Sequence, residues 1–312
     1  MGKKTKIWLI VAAGLLLSGL ILYFVFAGNV KMETNTHVVD GHYDSVVVNV
    51  DAADVTVLPS ADGTCKVVCY ETENLFHSVY IRDDTLFVNT VDERLWFEHL
   101  LIGFEKPQIT VYLPQKEYSM LLIEGSTGDV ELREGLNFLQ VNVSRSTGDV
   151  TCAGVAAYAM CLSTTTGEIH VENVLTEALE LNVTTGNIRL TDIFCAKAIA
   201  NVTTGELIGQ NIKCQNLISE GTTGDVRFND LIADDKICIN RSTGNVFLGS
   251  SDAVEIVIHT TTGDVDGVLL TEKVFVVSTK AGIVDVPESV SGGRCEVHTT
   301  TGDIGFTIYT PQ

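Results

Sequence analysis

Ten times between Ser126 and Ile304 the chain returns to one short phrase. In its full form this is Ser or Thr, then Thr-Gly, then an acid or Asn, then Val, Ile or Leu. The glycines are Gly128, Gly148, Gly167, Gly186, Gly205, Gly224, Gly244, Gly263 and Gly302, with a degenerate copy, Lys280-Ala281-Gly282-Ile283-Val284, before the last. Successive glycines lie 19 or 20 residues apart. A beat this regular is the signature of stacked repeats and excludes most closed globular folds. It constrains architecture strongly and chemistry hardly at all.

The flanks of each glycine define the unit. Seven and five residues before it stand apolar pairs such as Leu121 and Ile123, Leu179 and Leu181, and Ile256 and Ile258. Four before it the residue is polar: Glu124, Ser144, Asn182, Asn201, Glu220, Asn240, His259, His298. Aliphatic residues return two, often four, and often seven positions after it. Alternation with period two on both sides of a Thr-Gly turn means short strands with one face inward. Gly supplies the positive φ of the turn, and Asp or Asn after it can bond nearby backbone amides. One coil cannot bury its apolar face alone, but coils stacked about 4.8 Å apart share a core. The predicted fold is all-β: a single-stranded β-solenoid of 19–20 residues per coil.

Residues 7–28 are uncharged and almost wholly apolar, long enough to span a bilayer. A cleaved signal peptide is the alternative. The run exceeds a usual signal core, and no Ala-x-Ala site follows. The expectation is a single-pass signal anchor at the cell membrane, with the Lys-rich residues 1–6 cytoplasmic and the remainder extracellular. Residues 29–42 read as a polar stalk, 43–118 as irregular capping coils, and 119–312 as the regular solenoid. Ala52-Ala53-Asp54-Val55 resembles an unrefined repeat, 75 residues before Gly128 and close to four periods away. Phe306-Thr307-Ile308-Tyr309-Thr310-Pro311 is expected to close the far end.

All 40 acids but only 17 of the 20 basic residues follow residue 28, so that portion carries −23. Nucleic acid and anionic lipid are thereby disfavoured as partners. The eight cysteines mostly fall at repeat positions and read as small, reduced packing residues, with a Cys195–Cys214 bond allowed by spacing. Cys65 and Cys69 have no His cluster nearby in sequence, which argues against zinc.

One stretch breaks the beat. Residues 92–104 carry Trp96, Phe97, Leu100 and Phe104, with Trp96, Leu100 and Phe104 at four-residue spacing. They either plug the core or offer an apolar patch to a partner.

The apolar N-terminus, the irregular early strands, Ile109-Thr110-Val111-Tyr112-Leu113-Pro114 and the Thr-Gly-Asp-Val series together resemble the DUF4097 family. Its members are bacterial proteins with β-strand repeats, regarded as candidate adhesins. The resemblance covers roughly residues 40–310. It implies a right-handed β-helix-like ectodomain at the cell surface, linked in some members to envelope stress, with no catalytic residues.

The residue after each glycine forms a column that includes Asp129, Asp149 and Glu168. Carboxylates stacked about 5 Å apart are candidate calcium ligands or a solvated turn ladder. His259 and His298 share a repeat position but stand two repeats apart, which argues against a joint metal site. No nucleophile motif, paired-carboxylate cleft or phosphate loop appears, and no cofactor is expected. The expected function is non-enzymatic: a membrane-anchored rod binding an unidentified surface glycan or protein. A regulatory partner in envelope stress is the second reading, and a polysaccharide-acting enzyme a distant third.

Overall fold

The computed structural model describes residues 2, 8, 12–14, 16–19, 31–95 and 106–309. Most of the predicted anchor lies outside them. Among the described residues no helix is long and apolar enough to cross a membrane.

The described chain is a β-solenoid of about ten turns. Seven strands precede the regular repeats: β1 (Met32–Val39), β2 (Ser45–Asn49), β3 (Asp54–Pro59), β4 (Cys65–Thr72), β5 (Leu75–Arg82), β6 (Thr85–Asp92) and β7 (Gln108–Leu113). The repeats begin with β8 (Glu117–Thr127), β9 (Val130–Leu132), β10 (Asn137–Thr147), β11 (Val150–Ala153) and β12 (Ala156–Thr166). Long strands follow: β13 (Ile169–Thr185), β14 (Ile188–Thr204), β15 (Leu207–Thr223), β16 (Val226–Thr243) and β17 (Val246–His259). The end comprises β18 (Val265–Leu269), β19 (Lys273–Ser278), β20 (Val284–Asp285), β21 (Gly293–His298) and β22 (Ile304–Ile308). Each middle coil stacks parallel on the next in register, as Leu179↔Ala198↔Leu217↔Ile237↔Ile256. The residues predicted to face inward do so: Leu121, Ile123, Leu179, Leu181, Ile256 and Ile258 are fully buried.

Where short strands were expected, each middle coil is one long strand bent at a second corner. That corner lies six residues after the glycine, at Asn173, Asp192, Asn211, Asp230 and Ser250, each with φ between 47° and 56°. Asn and Asp tolerate this left-handed conformation better than other side chains.

The acidic column has a structural role. Asp129 N–H donates to Asp54 Oδ1 (2.9 Å), Asp149 N–H to Asp129 Oδ1 (2.8 Å) and Glu168 N–H to Asp149 Oδ1 (2.7 Å). The same rung recurs from Glu206 to Asn187, Asn245 to Asp225, Asp264 to Asn245 and Asp303 to Asp264. Asp and Asn reach the amide of the next coil. Glu168 and Glu206 accept no such bond from Asn187 or Asp225, because their longer side chains place the carboxylate beyond it. The turn glycines are required twice. Gly186 has φ 136°, and a Cβ there would lie 1.9 Å from the carbonyl oxygen of Gly167.

Both ends depart from sequence order. At the start, β2 and β3 stack directly on β8 and β9, with β6 and β7 outside them. Ala53 and Asp54 are therefore the immediate neighbours of Gly128 and Asp129, not four coils away. At the far end, β21 and β22 insert between β17/β18 and β19/β20. The coil of the degenerate repeat is thus outermost, and residues 306–309 do not close the stack. Ile283 occupies the last rung, donating its N–H to Asp303 Oδ1 (2.7 Å). Among the described residues no coil stacks beyond it, so no acceptor is needed there, which accounts for the lost acid.

The N-terminal end is finished by antiparallel strands: β5 pairs with β6, β4 with β7, and β1 with β4. An unpaired parallel edge would invite association, and the hairpins cover it. The segment expected to be a free stalk contains β1, which pairs along all eight residues with β4.

Three substitutions test these contacts. Asp149→Ala removes one amide acceptor and should cost about 1 kcal/mol, whereas Glu206→Ala should be nearly neutral, both read by urea denaturation. Gly186→Ala combines backbone strain with a clash against Gly167 and should cost about 3 kcal/mol or more. A Gly186→Ala protein melting like wild type would contradict the stacking geometry.

Candidate functional site

The polar position four before each glycine, and the Thr or Ser two before it, line one side of the solenoid. There the surface is concave. Three contiguous hollows run along it. The first is bordered by Ser144, Arg145, Ser163, Asn182 and Asn201. The second continues past Glu220, Asn240 and Arg241, and the third past His259, Lys280 and His298. They share Asn201 and Thr203, then Arg241 and His259, so they form one groove. Its walls carry hydroxyls and amides repeating once per coil.

Two buried guanidinium groups punctuate the groove. Arg145 is 3 % exposed and donates from Nη1 to Val50 O (3.0 Å), lying over Gly125, where a Cβ would collide with it. Arg241 lies likewise over Gly221 and donates to Ser219 Oγ (2.9 Å) and Asn240 O (3.0 Å). Desolvation lowers both guanidinium pKa values to about 10. The signal in sequence is a Gly three before one repeat glycine and an Arg at the same position of the next, a pairing that the shared period alone does not reveal.

At the C-terminal end of the groove the inserted coil makes His259 and His298 direct ladder partners. Their rings meet edge to face, 5.2 Å between centroids. Glu296 Oε1 lies 2.9 Å from His298 Nε2 and 3.9 Å from His259 Nε2. Sequence separation had argued against such a meeting, and the exchange of coil order overturns that argument.

A second cluster lies under the N-terminal hairpins, where Cys69, Glu71 and His77 are all buried. The β5 return brings a single histidine, His77, back beside Cys69. Glu71 accepts from Asn35 Nδ2 (2.7 Å) and the His77 backbone N–H (2.8 Å), and its Oε2 lies 2.8 Å from His77 Nδ1. The carboxylate thus joins β1, β4 and β5. Burial lowers the His77 pKa, although the hydrogen bond to Glu71 opposes this. Burial raises the Cys69 thiol to about 12.

The eight cysteines are free thiols, five of them buried. Cys195 and Cys214 stack on adjacent coils, and the hydrogen bond to Cys195, followed by burial, raises the Cys214 pKa. Asp129, Asp149 and Glu168 stand in one line on successive turns, and Oδ1 of both aspartates is engaged by the neighbouring amide. Trp96, Phe97, Leu100 and Phe104 lie outside the described residues. A different apolar surface does appear. Leu139 stacks beside Tyr158, and Leu175 pairs with Phe194, all exposed, with Leu175 at 68 %.

The Toastrack DUF4097 family model matches residues 43–227, more than half of the chain. The chain belongs to the DUF4097 family. Solved structures with a similar course include a candidate adhesin from Bacteroides fragilis, 14 % identical, with 88 % of this chain and 97 % of that one covered and a TM-score of 0.41. A candidate lipid-binding protein from Parabacteroides distasonis is 13 % identical, with coverage of 88 % and 96 % and a TM-score of 0.42. A candidate adhesin from Parabacteroides merdae is 13 % identical, with coverage of 88 % and 97 % and a TM-score of 0.42. Likeness at this level carries no functional argument for this DUF4097 member. No curated protein matches the chain.

The buried cap cluster gives a pH prediction. His77 binds its proton less readily when folded, so its contribution to stability is present above the ordinary value of 6.5 and is lost as pH falls from there through the folded value. Amide protection factors in β1, β4 and β5, taken relative to intrinsic exchange rates at each pH, should fall between pH 7 and pH 5, and His77→Gln should flatten that dependence.

Proposed function

We propose that this DUF4097 protein is a non-enzymatic, membrane-anchored extracellular solenoid whose lateral groove holds an extended surface polymer, most simply a glycan strand. The observation that carries this reading is the continuity of the groove. Hydroxyl and amide groups recur in it at the spacing of the coils, and a surface that repeats in one dimension suits a ligand that does the same. Neutral hydrogen-bonding side chains dominate it in a chain that is otherwise strongly acidic. Residues 7–28 serve as the anchor, residues 1–6 as the cytoplasmic end, and the coils wind right-handed, as the family resemblance implies.

A second reading, a regulatory partner of another membrane protein in an envelope-stress response, draws support from two exposed apolar pairs, Leu139 with Tyr158 and Leu175 with Phe194, in columns two residues apart. Exposed apolar patches mark protein–protein or membrane contacts. A polysaccharide-cutting activity finds no comparable support.

The test is sedimentation of the full-length chain with envelope polysaccharide. Asn182→Trp and Thr203→Trp fill the groove and should lower binding at least tenfold, while Tyr158→Ser and Leu175→Ser should leave it intact. The opposite pattern, with loss of a stoichiometric protein partner on crosslinking in Tyr158→Ser, would favour the regulatory reading.

A further inference from the structure

We infer that His259, Glu296 and His298 form a binding site for a borderline transition-metal ion such as zinc at the C-terminal end of the groove. The site exists only because the final two coils exchange places. His259 on β17 and His298 on β21 are Cα partners across a parallel ladder. Glu296 is two residues before His298 on the same strand, so both side chains point to the same face. The imidazole nitrogens and the carboxylate oxygen all lie within 4.8 Å of one another. Two ligands bound to one zinc ion at about 2.0–2.1 Å with tetrahedral angles stand about 3.3 Å apart. The two Glu296 contacts, 2.9 and 3.9 Å, bracket that separation, so small side-chain rotations suffice.

The surroundings orient these groups as a metal site requires. Ser278 Oγ lies 2.8 Å from His298 Nδ1 and fixes that ring. When Nδ1 donates to Ser278, the Nε2 lone pair faces the Glu296 carboxylate, an arrangement that a cation between them relieves. Arg294 donates to Glu296 Oε2 (2.5 Å) and leaves Oε1 turned toward the histidines. The positive groups nearby are Arg294, Lys236, Arg241 and Lys280. Arg294 and Lys236 are engaged by Glu255, and Arg241 by Ser219 and Asn240. Two imidazoles and one carboxylate favour zinc, cobalt or nickel over calcium or magnesium, which prefer all-oxygen sets. Three protein ligands leave a coordination position open toward the groove. Ligating imidazoles must be unprotonated at the coordinating nitrogen, so affinity falls as pH falls.

The experiment titrates chelator-stripped full-length chain with zinc chloride by calorimetry, and with cobalt(II) by absorption. One zinc per chain is expected, with a cobalt spectrum lacking sulfur charge transfer. His298→Ala and His259→Gln should each weaken zinc at least tenfold. The control His170→Ala, whose histidine also has a carboxylate two residues on but no partner histidine, should leave it unchanged. His259 is exposed, so His259→Gln reports on ligation even where His298→Ala perturbs folding. Absence of saturable zinc binding in the wild type, undiminished binding in His259→Gln, or a thiolate-type cobalt spectrum would overturn the assignment.

Discussion

The close approach of one turn glycine to the carbonyl of the next governs the rest of this structure. A Cβ at Gly167, Gly186 or Gly205 would lie about 2 Å from the preceding glycine's oxygen. That contact sets the coils in register, and register brings Thr against Thr, amide against Asx oxygen, and the aliphatic columns into one core. A shift of one residue would turn each inward Val, Ile and Leu outward. The groove is a consequence of the same constraint. Residues two and four before the glycine can line up along the rod only because every coil turns at the same place.

The ends show how a one-dimensional fold stops without a separate domain. At each end a coil later or earlier in sequence is exchanged into the stack, so that the outermost coil is not the chain's terminal repeat. β2/β3 sit inside β6/β7, and β21/β22 sit inside β19/β20. The exchange places the later coil, β21/β22, between two neighbours, β17/β18 and β19/β20. It also removes the demand for an Asx at Ile283, and it brings together His259, Glu296 and His298. At the N-terminal end, hairpins and the buried Glu71–His77 pair complete the cover.

Function in such a molecule divides between what repeats and what does not. The repeated hydroxyls and amides suit an extended ligand. The exceptions are single events: Arg145 over Gly125, Arg241 over Gly221, and the histidine pair at the exchanged coil. Each exception lies in the groove, which makes that side of the rod chemically distinct from the exposed apolar pairs at Tyr158 and Leu175.

The sequence by itself determined the solenoid, its period, its inward columns and its turn glycines, because each depends on local alternation that every coil repeats. It also placed Asp129, Asp149 and the other acids in one line, although only the structure assigned their oxygens to the amides of the next coil. The second corner was legible in principle, since Asn or Asp recurs six residues after most middle glycines, but an exposed Asx looks the same in any turn. Coil order at the ends was not legible. Ala53 is 75 residues from Gly128, and His259 is 39 from His298, yet each pair is adjacent. Parallel stacking depends on which edges meet in space, and the repeats are alike enough that several orders satisfy the same pattern. Only the tertiary structure chose among them, and with that choice it decided where His259, Glu296 and His298 converge.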